Sequence, residues 1–188
     1  VAAERIKEGY SPVSAGASAV DAHFFLPFAD SGRQAKLKDD AKRKLIQFAR
    51  EHEEDLRRIR EVETRIEYPM HRATVVGKID VILHDGEGIE IRDYKSSDVV
   101  TTQNEVAMQL RLYARGLTML GESVTRGSVA YLEDASIAHV AVGGNELQEA
   151  EGIAERHIDG ISRGIFTPCC GGACERCDYG NICRYRGN

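Results

Sequence analysis

No stretch of this chain approaches the roughly 20 consecutive apolar residues that a membrane-spanning helix needs. Charged residues break every apolar run after a few positions. The first residues show no secretory signal pattern, so the expectation is a cytoplasmic protein with no membrane partner. There is no cysteine before Cys169, which argues against a fold stapled throughout by disulfides. No Gly-x-x-x-x-Gly-Lys run occurs, so the chain has no nucleotide-driven motor of its own. A net positive charge is missing too: the formal balance is -5, which taken as a whole gives no support to nucleic-acid binding. The distribution of charge says more. Arg33 to Arg72 holds 12 basic and 9 acidic residues, whereas Glu133 to Asp159 holds 7 acidic and one basic, a pattern that allows a surface with one basic side.

What is present suffices for one α/β core, at 188 residues and 42% hydrophobic content. Val1 to Gly32 is rich in Ser, Ala and Gly and gives little periodic signal. From Lys36 to Ile59, apolar Leu37, Ala41, Leu45, Phe48, Leu56 and Ile59 recur at helical spacing, which predicts one amphipathic helix of about six turns with His52 on its buried stripe. Val62 to Met70 alternates and reads as a strand. Thr102 with Glu105 makes a capping-box signature for a helix whose apolar positions are Val106, Leu110, Tyr113, Leu117 and Leu120, with Gly121 ending it. Strands follow at Gly127 to Leu132 and Ile137 to Val142, and Asn145 is the expected cap of a last helix running to about Arg163.

Between these elements lie two β-branched runs, Gly77-Lys78-Ile79-Asp80-Val81-Ile82-Leu83 and Ile89-Glu90-Ile91-Arg92-Asp93-Tyr94-Lys95, separated by Asp85-Gly86-Glu87-Gly88. The doubled glycines predict a hairpin. A symmetric turn pairs His84 with Ile89 and so sets Asp80 opposite Asp93. Cβ atoms of directly opposed residues lie roughly 4.5–5.5 Å apart, and like charges there are destabilising unless neutralised. A divalent cation would neutralise them, and hard carboxylate oxygens suit Mg²⁺ or Mn²⁺. Lys95 projects from the same face as Asp93. Two acids and an amine in one cluster are the chemistry of metal-dependent phosphodiester hydrolysis. Gln109 and Tyr113, four apart, share one face of the helix that follows. Glu63, on the first strand, is a further carboxylate within possible reach of this cluster.

Gly77-Lys78-Ile79-Asp80, Asp93-Tyr94-Lys95 and Gln109-Leu110-Arg111-Leu112-Tyr113 together resemble the RecB-like branch of the PD-(D/E)xK nucleases, which includes helicase-linked and CRISPR-associated exonucleases. The resemblance covers roughly Glu61 to Arg184. It implies that Asp80 and Asp93 ligate the metal together with the Tyr94 carbonyl, that Lys95 is the catalytic lysine, and that Gln109 and Tyr113 contact DNA and brace the site. It also implies a metal-ligating histidine upstream, for which His23 and His52 are the candidates and His23 the preferred one.

The five cysteines fall at Cys169, Cys170, Cys174, Cys177 and Cys183. A CxxC followed six positions later by a third thiolate can close around one soft centre, either a [4Fe-4S] cluster or Zn²⁺. The tail is similar to the iron-sulfur staple of this nuclease branch, whose fourth ligand usually comes from the N-terminal region; here Cys169 or Cys170 is the available fourth thiolate, Cys170 being the one assigned. Arg176, Arg184 and Arg186 around it are candidate phosphate contacts.

The expected architecture is α/β: a central mixed β-sheet flanked by helices, restriction-endonuclease-like, with residues 1–165 as the nuclease core and 166–188 as a cysteine-rich metal or cluster lobe. The expected activity is Mg²⁺- or Mn²⁺-dependent cleavage of DNA, single-stranded or end-bearing, by an exonuclease working in repair, recombination or strand processing with a helicase or recombination partner. The rival readings are a DNA-binding module that kept the fold without the chemistry and a structural metal lobe serving protein contacts.

Overall fold

The computed structural model describes residues 1–96, 103–167 and 171–185. Five strands form one sheet in the order β1 (Ile59–Met70), β2 (Ala73–Asp85), β3 (Gly88–Lys95), β4 (Val124–Tyr131) and β5 (Ser136–Val140). Only β3 and β4 run parallel; every other neighbouring pair is antiparallel, so the sheet is mixed as expected. The crossover between the parallel strands contains helix α5 (Gln103–Met119). Thr102, half of the expected capping box, lies outside the described residues.

Helices cover both faces. On one, α5 and α6 (Gly144–Ser162) pack over Ile66, Ile79, Ile82 and Ile91, with Leu110 and Leu117 pointing down from α5. On the other, α1 (Ala2–Lys7), α2 (Pro12–His23), α3 (Ser31–Glu51) and α4 (Glu53–Arg57) enclose Ile6, Ala15, Phe48, Leu56, Val81 and Leu83. The first two helices escape a periodicity reading because α2 buries small residues, Ala15 and Gly16, rather than large ones. Local chemistry still explains its start: Pro12 occupies the first turn and the Ser11 hydroxyl accepts from the Ser14 N–H.

The single helix expected from Lys36 to Ile59 is two helices and the start of a strand. It begins earlier, at Ser31, because the Asp30 carboxylate accepts from the Arg33 N–H at 2.9 Å. It breaks at His52, whose backbone leaves helical geometry at φ -122° and ψ 32°, and Ile59 already belongs to β1. The break costs no burial, since Leu56 and Ile59 enter the same core as Phe48, so the apolar spacing could not reveal it. Asn145 is likewise not a cap: it lies within the first turn of α6, whose cap is Gly143. Leu120 is exposed rather than buried.

Two close approaches seat α5 on the sheet. A Cβ at Gly77 would lie 2.3 Å from the Tyr113 ring, and one at Gly116 would lie 2.5 Å from the Tyr68 ring. Tyr68 also donates its hydroxyl hydrogen to the Leu112 carbonyl at 2.8 Å. The glycine three residues before Asp80 therefore makes room for the tyrosine of the Gln109/Tyr113 pair, which links two of the sequence motifs by simple sterics.

On the α1–α4 side of β3 lies a buried ionic network. Arg92, 1% exposed, donates to Glu90 at 2.6 Å, Asp55 at 2.8 Å and the Ser128 hydroxyl at 2.9 Å. Burial works to raise the Asp55 carboxyl, but hydrogen bonds from Arg58 and Arg92 outweigh it and hold the group below the ordinary carboxylate range. Removing one member of such a network strands another charge in low dielectric.

Two stability measurements check this packing. The G77A variant should lose roughly 1–3 kcal/mol in urea unfolding through forced displacement of the Tyr113 ring, and Y113A should recover part of that loss in the double variant. R92L should lose about 3–5 kcal/mol, because the buried Glu90 keeps only the Ser128 hydroxyl and Arg58 at 3.6 Å to oppose its charge.

Candidate active site

The hairpin register agrees with the symmetric turn. Val81 pairs with Arg92, Ile82 with Ile91 and His84 with Ile89, with Gly86 at φ +62° in the connection. The pairing runs to Val81 and Arg92; Asp80 and Asp93 lie just beyond it, near enough for the Asp93 charge to act on the Asp80 carboxyl. Alternation along β3 divides its side chains: Ile89 and Ile91 enter the α5-side core, and Asp93 and Lys95 continue that face, while Arg92 and Tyr94 turn to the other.

Asp93 is 6% exposed. The Lys95 ammonium lies 2.8 Å from its Oδ2 as an ion pair and is the partner of this otherwise buried oxygen. Asp80 is half-buried, and its Oδ2 accepts from the Tyr94 N–H at 2.8 Å, which ties the two strands together at the site. Burial, first, then the charges of Asp93 and Glu63 push the Asp80 carboxyl above its ordinary range, against the opposing pull of the Tyr94 N–H and Lys95. Two carboxylates and the Lys95 ammonium are thus gathered at this edge, and carboxylate oxygens are the ligand type that hard divalent cations take.

Behind the pair, Tyr94 is anchored on the opposite face. Its ring meets Phe48 edge-on at 5.6 Å between centroids, and Phe48 in turn packs on His52 at 4.5 Å. Ahead of it, Gln109 donates to the Tyr113 hydroxyl at 2.9 Å. Gln109 and Tyr113 are thus one hydrogen-bonded unit, set against β2 through Gly77.

The histidines are not gathered with the acids. His23 is the exposed last residue of α2, and His52 Nε2 lies 2.6 Å from the Ala135 carbonyl, a bond that accounts for its place on the buried stripe. Among the described residues, no group of three or more His, Cys, Asp and Glu side chains stands close enough to hold a metal. That includes the tail, where Cys174 is half-buried in a 3₁₀ turn spanning Gly172–Arg176 and Cys177 and Cys183 are exposed. Cys169, Cys170 and Arg186 lie outside the described residues. Arg184 stacks over the Tyr185 ring at 4.7 Å. Among the described residues, no helix is long and apolar enough to cross a membrane.

The raised Asp80 carboxyl carries a stability consequence of definite sign. The folded state binds this proton more tightly than the unfolded chain, so the contribution of Asp80 is fully present below pH 3.8 and is lost as pH rises through the raised native value. D80N keeps an oxygen that can accept from Tyr94 N–H and removes the charge. Without divalent metal at neutral pH, it should therefore have a higher thermal midpoint than the parent, with the difference shrinking in acid.

Comparison with known proteins was made on sequence and on fold. No curated protein matches the chain significantly in sequence. The fold is similar to that of SSO0001, at a TM-score of 0.50 and 14% identity over 94% of this chain and 95% of that one. A protein from Eubacterium rectale named "Putative exonuclease" gives 0.49 and 18% over 94% and 76%. VC1899 from Vibrio cholerae gives 0.33 and 13% over 79% and 43%. A family model described as the PD-(D/E)XK nuclease superfamily matches residues 6–184, nearly the whole chain. With that match and its five-stranded mixed sheet flanked by helices, the chain belongs to the PD-(D/E)XK nuclease superfamily.

Proposed function

We propose that the protein is a divalent-metal-dependent DNA nuclease of the RecB-like branch, acting in the cytoplasm as an exonuclease or strand-trimming module on single-stranded or end-bearing DNA. The observation that carries this reading is the neighbouring Asp80 and Asp93 carboxylates, with the Lys95 ammonium held 2.8 Å from Asp93 Oδ2.

Asp80 and Asp93 are the residues to hold Mg²⁺ or Mn²⁺, with the Tyr94 carbonyl as a further ligand and His23 as the histidine candidate. When bound, such an ion supplies charge neutralisation at the phosphate and a lowered pKa for coordinated water. The chain's own residues do the rest. Lys95, released from its pairing with Asp93, orients the attacking water or stabilises charge developing on phosphorus. The Tyr94 N–H holds Asp80 in one orientation, so the acid does not have to be ordered at the moment of reaction. Gln109, braced by Tyr113, positions the DNA strand.

In this reading residues 1–165 form the nuclease core. Residues 166–188 form a lobe in which Cys174, Cys177, Cys183 and Cys170 hold a [4Fe-4S] cluster or Zn²⁺. A helicase or recombination partner delivers the strand. The second reading, a DNA-binding module without chemistry, has one observation on its side: no third ligand is gathered at the acid pair among the described residues.

Mn²⁺-dependent cleavage of an end-labelled single-stranded oligonucleotide separates the two. The parent should cleave, and D93A should fall to the assay background while still binding the strand. Undiminished cleavage by D93A would remove the assignment; strand binding without cleavage by the parent, in Mg²⁺ or Mn²⁺, would favour the second reading.

A further inference from the structure

The segment that turns from α2 into α3 reads Phe24-Phe25-Leu26-Pro27-Phe28-Ala29-Asp30 and holds three of the chain's five phenylalanines. Half-buried Phe24 and Leu26 line a groove of about 440 Å³ together with Leu37, Ala41 and Lys44 of α3. In the same segment Phe25 and Phe28 stand in solvent, 70% and 100% exposed, so core packing does not account for either ring. The groove also reaches the sheet. Ser96, the residue after Lys95, lines it with Leu132, and the Leu132 N–H donates to the Lys95 carbonyl at 2.9 Å. An aromatic, largely apolar slot is therefore continuous with the edge that carries Asp93 and Lys95.

Charge around the slot favours a polyanion. Helix α3 carries seven cations against three carboxylates. The carboxylate in the groove wall, Asp40, is already offset by Arg43 and Lys44, and Lys44 also reaches Glu133. Arg33 lies one turn before Leu37 on the same side of the helix, and neither it nor Lys36 makes an ion pair among the described residues. Exposed rings beside a basic rim are the make-up of a single-strand platform, in which aromatic side chains stack on base faces and cations meet backbone phosphates. A duplex keeps its bases paired and stacked and offers nothing to such a slot. The groove's volume falls in the roughly 300–1,000 Å³ range of pockets that take ring-sized ligands. A chain of net charge -5 has no overall field to draw in nucleic acid, so local cations and stacking have to supply the attraction.

We propose that the groove between α2 and α3 receives unpaired bases of the strand on which the Asp93/Lys95 edge acts, with Phe25 and Phe28 stacking on bases beside it and Arg33 holding a phosphate. This inference rests on the nuclease reading above and narrows its substrate to single-stranded DNA or the frayed end of a duplex. It gives the two solvent-exposed phenylalanines a role. It also supplies the acid-bearing edge with a means of holding a strand that does not depend on charge alone.

Fluorescence anisotropy separates stacking from phosphate contact, using an end-labelled single strand and a strand of the same length built of abasic sites, both without divalent metal so that nothing is cleaved. The parent should bind the base-bearing strand about tenfold or more tighter than the abasic one. F25A/F28A should lose that preference while keeping the parent's affinity for the abasic strand and its thermal midpoint, since both rings are exposed. A41L, which fills the groove and changes no charge, should lose the preference likewise. R33A should weaken both strands alike and flatten the salt dependence. If the parent shows no preference, or F25A/F28A and A41L both keep it, the groove assignment is wrong, and Mn²⁺-dependent cleavage by the parent would leave the nuclease reading standing. A parent dimer that F25A/F28A dissociates, with strand binding unchanged, would make the groove a contact between copies and overturn the proposal. If the parent neither binds the strand nor cleaves it in Mn²⁺, both readings fall.

Discussion

Two like charges held close together across a hairpin constrain everything around them. A short turn fixes the β2–β3 register and leaves Asp80 and Asp93 together just beyond its last pair, and a one-residue slip would send the whole of β3 to the wrong face. Once there, the acids cannot be left to water: Asp93 is almost wholly buried, and Asp80 is held by a main-chain N–H from the neighbouring strand. A Lys two residues on offsets one charge. Burial first, and then the charges of Asp93 and Glu63, leave the Asp80 carboxyl raised above its ordinary range.

Supporting this pair takes both faces of the sheet. On the α5 side, glycines at 77 and 116 let the helix approach closely enough that Tyr113 and its partner Gln109 come to the acid-bearing hairpin. On the other, the Arg92 network and the Tyr94–Phe48–His52 stack hold β3 from behind. Residues 92 to 95 thus alternate anchor and site: Arg92 and Tyr94 are fastened away from the acids, and Asp93 and Lys95 are presented between them. The packing of the anchors is what gives the site its geometry.

The sheet and the acid pair were legible because their signals are local. Two glycines in a short turn, alternating β-branched residues and a symmetric count suffice to pair His84 with Ile89 and so bring Asp80 near Asp93, and the α5 stripe at Val106, Leu110 and Leu117 reads directly as a buried helix face. What escaped depends on tertiary context. Helical spacing from Leu45 through Leu56 to Ile59 continues unbroken across a true helix break, because α3, α4 and β1 feed the same core. Small buried residues in α2 leave no hydrophobic pattern to read. Glu90 and Arg92 look like a solvated strand face, and only their mutual pairing, with Asp55 and Ser128, permits their burial. The left-handed backbone at Glu63, φ +54°, has no sequence signal at all, since glutamate is an unexpected residue at positive φ. The cysteine tail shows the reverse case: its spacing is legible, while its first two cysteines lie outside the described residues.

The central claim is that the Asp80/Asp93 edge is a divalent-cation site. Anomalous diffraction from crystals soaked in Mn²⁺ tests it most directly. The account predicts a strong anomalous peak between the two carboxylates, with Lys95 moved off Asp93. Ordered protein showing no peak there, with Lys95 still paired to Asp93 at saturating Mn²⁺, would contradict it.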